Sequence, residues 1–163
     1  MTIGEDIAIL FLLTMCQNES GVTERAAKEI ASAVGADLLE IRPAEPYTAA
    51  DLDWKDQKSR STLEMKDPAC RPAILASALD VSQYDVVFVG FPIWWYVEPR
   101  IIDTFLESHP FSGKTLIPFA TSGGSGISGA QRSLKEHCPD AVWKEGALVN
   151  AGAAAFAKAA LEN

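Results

Sequence analysis

Residues 84–99 read YDVVFVGFPIWWYVEP, and the fold follows from how this stretch is parsed. Val86, Val87, Phe88 and Val89 form a continuous apolar run too short for a helix. A run of this kind, rich in β-branched residues, is a strand buried on both faces. Gly90 and Pro92 are expected to end it, because glycine admits unusual backbone angles and proline donates no ladder hydrogen bond. Trp94, Trp95 and Tyr96 then fall in a loop, since adjacent aromatics cannot all enter one core. Pro99 suits a first helical position, and Ile101, Ile102, Phe105 and Leu106 form the apolar face of the helix it opens. A strand's carboxyl end thus delivers an aromatic loop, which is where open α/β sheets bind ligands.

Toward the amino terminus, Ile7–Leu13 (IAILFLL) is a second buried strand. A polar loop, TMCQNESG, leads into a helix with Ala26, Ala27, Ile30, Ala31 and Val34 on one face and Gly35 as its stop. A helix amino terminus after a strand favours a phosphate through its free N–H groups and dipole. Ser20, Gly21 and Thr23 are the residue types such a cradle uses, although serine and threonine also cap helices ordinarily. Leu38–Ile41 is a short third strand. Residues 42–72 are polar and carry few large apolar side chains, which reads as a long excursion with a short helix around Lys55–Met65. An excursion of that length in a small domain is usually functional or wraps the surface. Ala73–Leu79 is expected to form a helical turn or two.

Toward the carboxyl terminus, Lys114–Phe119 is a strand whose Pro118 is expected at its end, where a missing donor is tolerated. Thr121-Ser122-Gly123-Gly124-Ser125-Gly126 follows, and its glycines let backbone amides approach a flat or anionic group. A helix returns at once with Ile127, Ala130, Leu134 and Cys138 in register, so the segment reads as a binding loop rather than a linker. Ala141–Leu148 is a fifth strand with Gly146 as a candidate bulge, and an Ala-rich helix closes the chain at 151–161. The 163 residues form one domain with no repeat. Strands alternating with helices predict a doubly wound α/β fold with a five-stranded parallel sheet and right-handed crossovers.

A net charge of −8 argues against a phosphate-backbone binder and excludes a nucleic-acid partner. It suits solubility first and a basic protein partner second. Cys16, Cys70 and Cys138 are odd in number and match no metal-ligand spacing, which predicts reduced thiols and a cytoplasmic protein. His109 and His137 stand far apart near helix ends and read as surface or capping groups rather than metal ligands. No stretch reaches about 18 apolar residues, so a membrane span is not expected. Glu5 and Asp6 precede the Ile7–Leu13 run where a signal peptide would be basic.

Three strand ends therefore carry unusual loops, at 14–23, 91–98 and 121–126, and a parallel sheet sets them along one edge. A phosphate cradle, stacking aromatics and approachable backbone suit a flat ring with a phosphate tail, a mononucleotide. The sequence resembles the flavodoxin-like FMN-binding family, in the subgroup whose loops read G-F-P-I-W-W-x-x-x-P-R and T-S-G-G-S-G. Both stand intact here, at Gly90–Arg100 and Thr121–Gly126. The Arg42-Pro43-Ala44-Glu45-Pro46-Tyr47 segment and Arg71-Pro72 are similar to the subgroup as well. The resemblance implies strand order 2-1-3-4-5 and non-covalent FMN. It implies that Pro92, Ile93, Trp94 and Trp95 line the isoalloxazine, with Trp94 or Trp95 against the ring. By the same resemblance, Thr121, Ser122, Gly123, Gly124 and Ser125 bond the heteroatoms at the ring's other edge. The first loop departs from the family's S-x-T-G-N-T. Ser20-Gly21-Val22-Thr23 matches its second half with Val22 for asparagine, and Met15–Glu19 separate it from Thr14.

This reading makes the chain an electron-transfer protein that serves a redox partner protein or a small-molecule acceptor. No acid–base residue is needed, because the flavin carries the chemistry while the site tunes it. An aromatic face and a negative protein should both disfavour a charged reduced flavin and lower its potential. Two alternatives stay open. One is an NAD(P)H-dependent FMN quinone or small-molecule reductase; the other is a cofactor-free module with a degenerate phosphate loop. A homodimer is left open too.

Overall fold

The computed structural model describes residues 7–12, 20–75 and 80–162, with residues 8–12 and Ser20 as backbone alone. Thr14, Cys16 and residues 76–79 of the expected helical turn lie outside the described residues. In chain order the elements are β1 (Ile7–Leu12), α1 (Ser20–Val34), β2 (Asp37–Ile41), α2 (Arg60–Lys66) and β3 (Val86–Pro92). There follow α3 (Arg100–Ser108), β4 (Thr115–Thr121), α4 (Ser128–His137), β5 (Val142–Trp143), β6 (Ala147–Leu148) and α5 (Ala153–Glu162). The strands pair in parallel in the order β2-β1-β3-β4-β5, and β6 also pairs with β4. This is the doubly wound order that the resemblance to the flavodoxin-like family implied.

β3 is the centre, and all its residues are buried. Its alternation divides the core. Val86 and Phe88 pack with Ala27 and Ile30 of α1 and with Ala153 and Ala157 of α5. Val87, Val89 and Phe91 pack with Ile101, Ile102 and Phe105 of α3 and with Ala130 and Leu134 of α4. Helices covering both faces explain why the strand reads as a continuous apolar run rather than an alternating one.

Several boundaries differ from expectation, each for a long-range reason. β3 does not end at Gly90 but runs on to Pro92. Gly90 stays inside the strand because the Phe119 ring lies over it, and a Cβ there would stand 2.1 Å from that ring. Pro118 sits in the middle of β4 rather than at its end. The carbonyls of Lys114, Leu116 and Ala120 accept hydrogen bonds from Val142, Lys144 and Val149, so Pro118 shares their parity and faces the same neighbour. The missing donor thus meets the gap between β5 and β6. There Gly146 turns its N–H to Gln131 Oε1 at 3.0 Å, and a Cβ on it would lie 2.3 Å from the Pro118 carbonyl oxygen. The expected fifth strand is accordingly two short pieces, interrupted around the predicted bulge.

The short helix begins at Arg60 rather than near Lys55, because Ser59 accepts from the Thr62 N–H as an N-cap. Residues 73–75 run extended where a helical turn was expected. Ile74 bridges Pro43, Ala44 N–H donates to the Ala73 carbonyl at 2.8 Å and Leu75 N–H donates to that of Arg42 at 2.9 Å. The excursion therefore leaves and returns through one paired neck. Gly35 ends α1 as expected, at φ +69°.

Candidate functional site

The second loop leaves β3 at Pro92 and is at once tied to the third, since Ile93 N–H donates to the Thr121 carbonyl at 2.9 Å. Trp94 and Val97 then exchange backbone hydrogen bonds at 2.9 and 3.2 Å. The two residues of the turn between them, Trp95 and Tyr96, sit at φ +47° and +70°. That left-handed region costs an L-residue about 1–2 kcal/mol, so the surroundings must hold the turn. Gly129 in the first turn of α4 does part of this: a Cβ there would lie 2.6 Å from the Tyr96 carbonyl oxygen. Trp94 is half-buried, while Trp95 and Tyr96 are 41% and 71% exposed. Large aromatics are thus presented to solvent by a backbone they do not favour.

The excursion braces this loop from the side. Tyr47 is buried and meets the Trp94 ring edge-on, with centroids 5.6 Å apart. Its hydroxyl donates to Glu64 Oε2 at 2.6 Å, and the Arg60 guanidinium lies 3.9 Å above its ring while donating to Glu64 Oε1. Burial, then the Glu64 contact, push the phenol above its ordinary range, so Tyr47 remains a neutral donor.

The third loop is built on different terms. Ser122 Oγ accepts from the Gly124 and Ser125 N–H groups at 3.1 and 2.7 Å, closing a tight turn. Asn150 clamps the same residue, accepting from Ser122 N–H at 3.0 Å and donating to its carbonyl at 2.6 Å. A Cβ placed on Gly123, Gly124 or Gly126 meets nothing within 4 Å, so this backbone is open to an approaching group. Thr121 is buried, and its hydroxyl lies 2.7 Å from that of Thr23 in α1. The amino terminus of α1 is therefore docked directly on the third loop.

Of the residues singled out in the sequence, Pro92, Ile93 and Trp94 come together with Thr121 and, through it, Thr23. Ser20 opens α1, Gly21 is exposed and Val22 half-buried in its first turn. Thr14 lies outside the described residues. The Thr23 and Thr121 hydroxyls face each other, and the Gly124 and Ser125 amides face Ser122. Sequence reasoning assigned no part to Tyr47 or Asn150. Tyr47 stood in a segment noted only for its resemblance, and an Asn before a helix signals a cap rather than a clamp on a loop 28 residues away.

Beneath the second loop lies a buried polar group. Glu98 and Asp103 have no exposed surface, and Glu98 Oε1 accepts from Ser133 Oγ at 2.6 Å. Burial, then the Asp103 neighbour, push the Glu98 carboxyl up to about 9, and burial raises Asp103 as well. A separate shallow groove between α1 and α5, lined by Arg25, Lys28, Glu29, Ser32, Ala33, Ala154 and Lys158, contains none of the loop residues.

Segments 93–97 and 121–126 carry no titratable side chain except Tyr96. Their chemistry is that of holding a flat group: exposed aromatic surface on one side, open glycine backbone on the other, a helix amino terminus alongside. No helix among the described residues is long and apolar enough to cross a membrane.

The same architecture recurs in solved structures. A candidate flavoprotein from Bacteroides eggerthii DSM 20697 matches with a TM-score of 0.88 at 48% identity, over 96% of both chains. One from Bacteroides uniformis ATCC 8492 matches at 0.88 and 44% identity, over 98% of this chain and 99% of that one. The flavoprotein of Lactobacillus acidophilus NCFM, solved in complex with FMN, has a TM-score of 0.72 at 21% identity, covering 88% and 93%, a likeness of fold. No curated protein sequence matches. The flavodoxin family model matches residues 12–163, nearly the whole length, and the chain belongs to the flavodoxin family.

Proposed function

We propose that this chain binds FMN along the carboxyl edge of its sheet and passes electrons to a partner protein or small acceptor. The observation that carries the reading is the pairing of Trp95 and Tyr96, exposed and held at positive φ, with an open glycine backbone tied to them through Ile93 and Thr121. Backbone strain of this kind persists where the surroundings over-determine it, and it clusters at ligand clamps. Family membership supports a flavin, and the FMN complex of the Lactobacillus relative supports the mononucleotide.

In this reading Trp94 and Trp95 offer the ring an aromatic face, while the backbone from Thr121 to Ser125 lines its other edge. The N–H groups of the first turn of α1, at Ser20–Thr23, favour the phosphate through the helix dipole and need no particular side chain. A bound flavin supplies the redox chemistry. The protein's part is to bind it, to keep one ring edge near solvent and to set its environment with aromatics and a net negative charge.

Flavin released from the purified protein by heat should chromatograph as FMN; recovered FAD, or a colourless protein that refuses FMN, would overturn the proposal. Mixing the holoprotein with NADPH and with NADH in stopped flow should leave the flavin oxidised on the millisecond-to-second scale. Rapid reduction without a partner enzyme would make the chain a reductase instead.

A further inference from the structure

Glu98, Asp103 and His137 bring three potential metal ligands together between α3 and α4, under the second loop. One donor atom from each lies within 4.8 Å of the other two. The group does not rest on acidity alone, because three of its four buried carboxyl oxygens receive no hydrogen bond from outside the pair. Both Asp103 carboxyl oxygens and Glu98 Oε2 have no hydrogen-bond partner beyond a proton the two carboxyls share, in residues with no exposed surface. The nearest cationic group, Arg100, holds its Nη1 3.7 Å from Asp103 Oδ2 while its Nη2 donates to the Met65 carbonyl. Arg71, the next guanidinium, forks onto Glu107. Buried carboxylates side by side must keep a proton between them or take up a cation.

His137 completes the donor set. Its Nδ1 lies 2.8 Å from the Ser133 carbonyl oxygen, which can only accept, so the ring proton belongs on Nδ1. Nε2 is the ring atom left facing Asp103 Oδ2, at 3.6 Å. That contact is closed either by a proton on Nε2, as an ion pair, or by a cation standing in the proton's place. Ligands at about 2.1 Å from a tetrahedral Zn²⁺ stand about 3.4 Å apart, close to the Asp103–His137 separation. A ligating histidine ordinarily gives its other N–H to a carbonyl or carboxylate, as this one does. Its side chain is 19% exposed, which leaves a path from solvent.

We propose that Glu98, Asp103 and His137 form a divalent-cation site of the Zn²⁺ class, with water as a fourth ligand. The site pins the end of the second loop, where Glu98 follows Val97, to the last turn of α4. It stands independently of the flavin reading.

The test uses the full chain, stripped with EDTA and dialysed, then titrated with Zn²⁺ in a calorimeter and with Co²⁺ in a spectrophotometer. One equivalent should bind per chain, raising the melting temperature, and Co²⁺ should give d–d bands with no thiolate charge-transfer band. His137→Gln, at a partly exposed position, should melt normally without metal yet bind Zn²⁺ at least about 100-fold more weakly. Asp103→Asn should lose binding likewise, and if it fails to fold, His137→Gln still decides. Absent stoichiometric binding, unchanged affinity in His137→Gln, or a cobalt–thiolate band would overturn the proposal, leaving a proton-sharing carboxyl pair in the first case.

Discussion

The loop at 93–97 holds bulky residues in a backbone conformation they resist, whereas the loop at 121–126 uses residues that resist nothing and fixes them with side chains. Trp95 and Tyr96 are kept at positive φ by the Trp94–Val97 hydrogen bonds, by Gly129 and by Tyr47. Ser122 and Asn150 hold the third loop with hydrogen bonds and no strain. The difference is one of division of labour. In the second loop the backbone turns two adjacent aromatics outward, while close approach of backbone amides requires that side chains be absent. One site needs both, and the two loops share a root where Gly90 of β3 receives the Phe119 ring of β4.

That root is where the comparison breaks most severely. Gly90→Ala would drive a methyl into a fully buried ring, and should cost about 3 kcal/mol or more in a denaturant melt, collapsing both loops together. Next is Gly129→Ala, which presses on the Tyr96 carbonyl alone. It should cost about 1–3 kcal/mol and alter the near-ultraviolet signal of the tryptophans, while the third loop's amide protection stays unchanged. Asn150→Ala sharpens the opposite arm, with loss of about 1 kcal/mol for an exposed clamp and exchange protection falling at Ser122 but not at Trp94 or Val97. The smallest effect should be a gain. Tyr96→Gly relieves left-handed strain but adds chain entropy when unfolded, for a net stabilisation of a few tenths to about 1 kcal/mol. If it destabilised the protein, the strain account of the second loop would be wrong.

Much of this was legible because it is local. The apolar run at Val86–Val89, the helical spacing of Ile101, Ile102, Phe105 and Leu106, and the Gly/Ser/Thr composition of 121–126 report their own structure. The misplaced features depend on partners far along the chain. Gly90 stays in a strand because of Phe119, and Pro118 is tolerated mid-strand because the last strand breaks opposite it. Tyr47 reaches Trp94 only because residues 42–44 pair with 73–75. Glu98, Asp103 and His137 come from two helices and a loop end, with no spacing to betray them. The late start of α2 was the exception, since Ser59 offered a readable cap.

The central claim is that the second and third loops together hold FMN, and titrating FMN into flavin-stripped protein tests it most directly. Flavin and tryptophan fluorescence should change saturably at one FMN per chain. Trp94→Ala and Trp95→Ala should weaken binding unequally, the ring-facing residue by on the order of 1 kcal/mol beyond its lost contact area. No saturable change in the wild-type protein, or an affinity unchanged in both variants, would contradict the account.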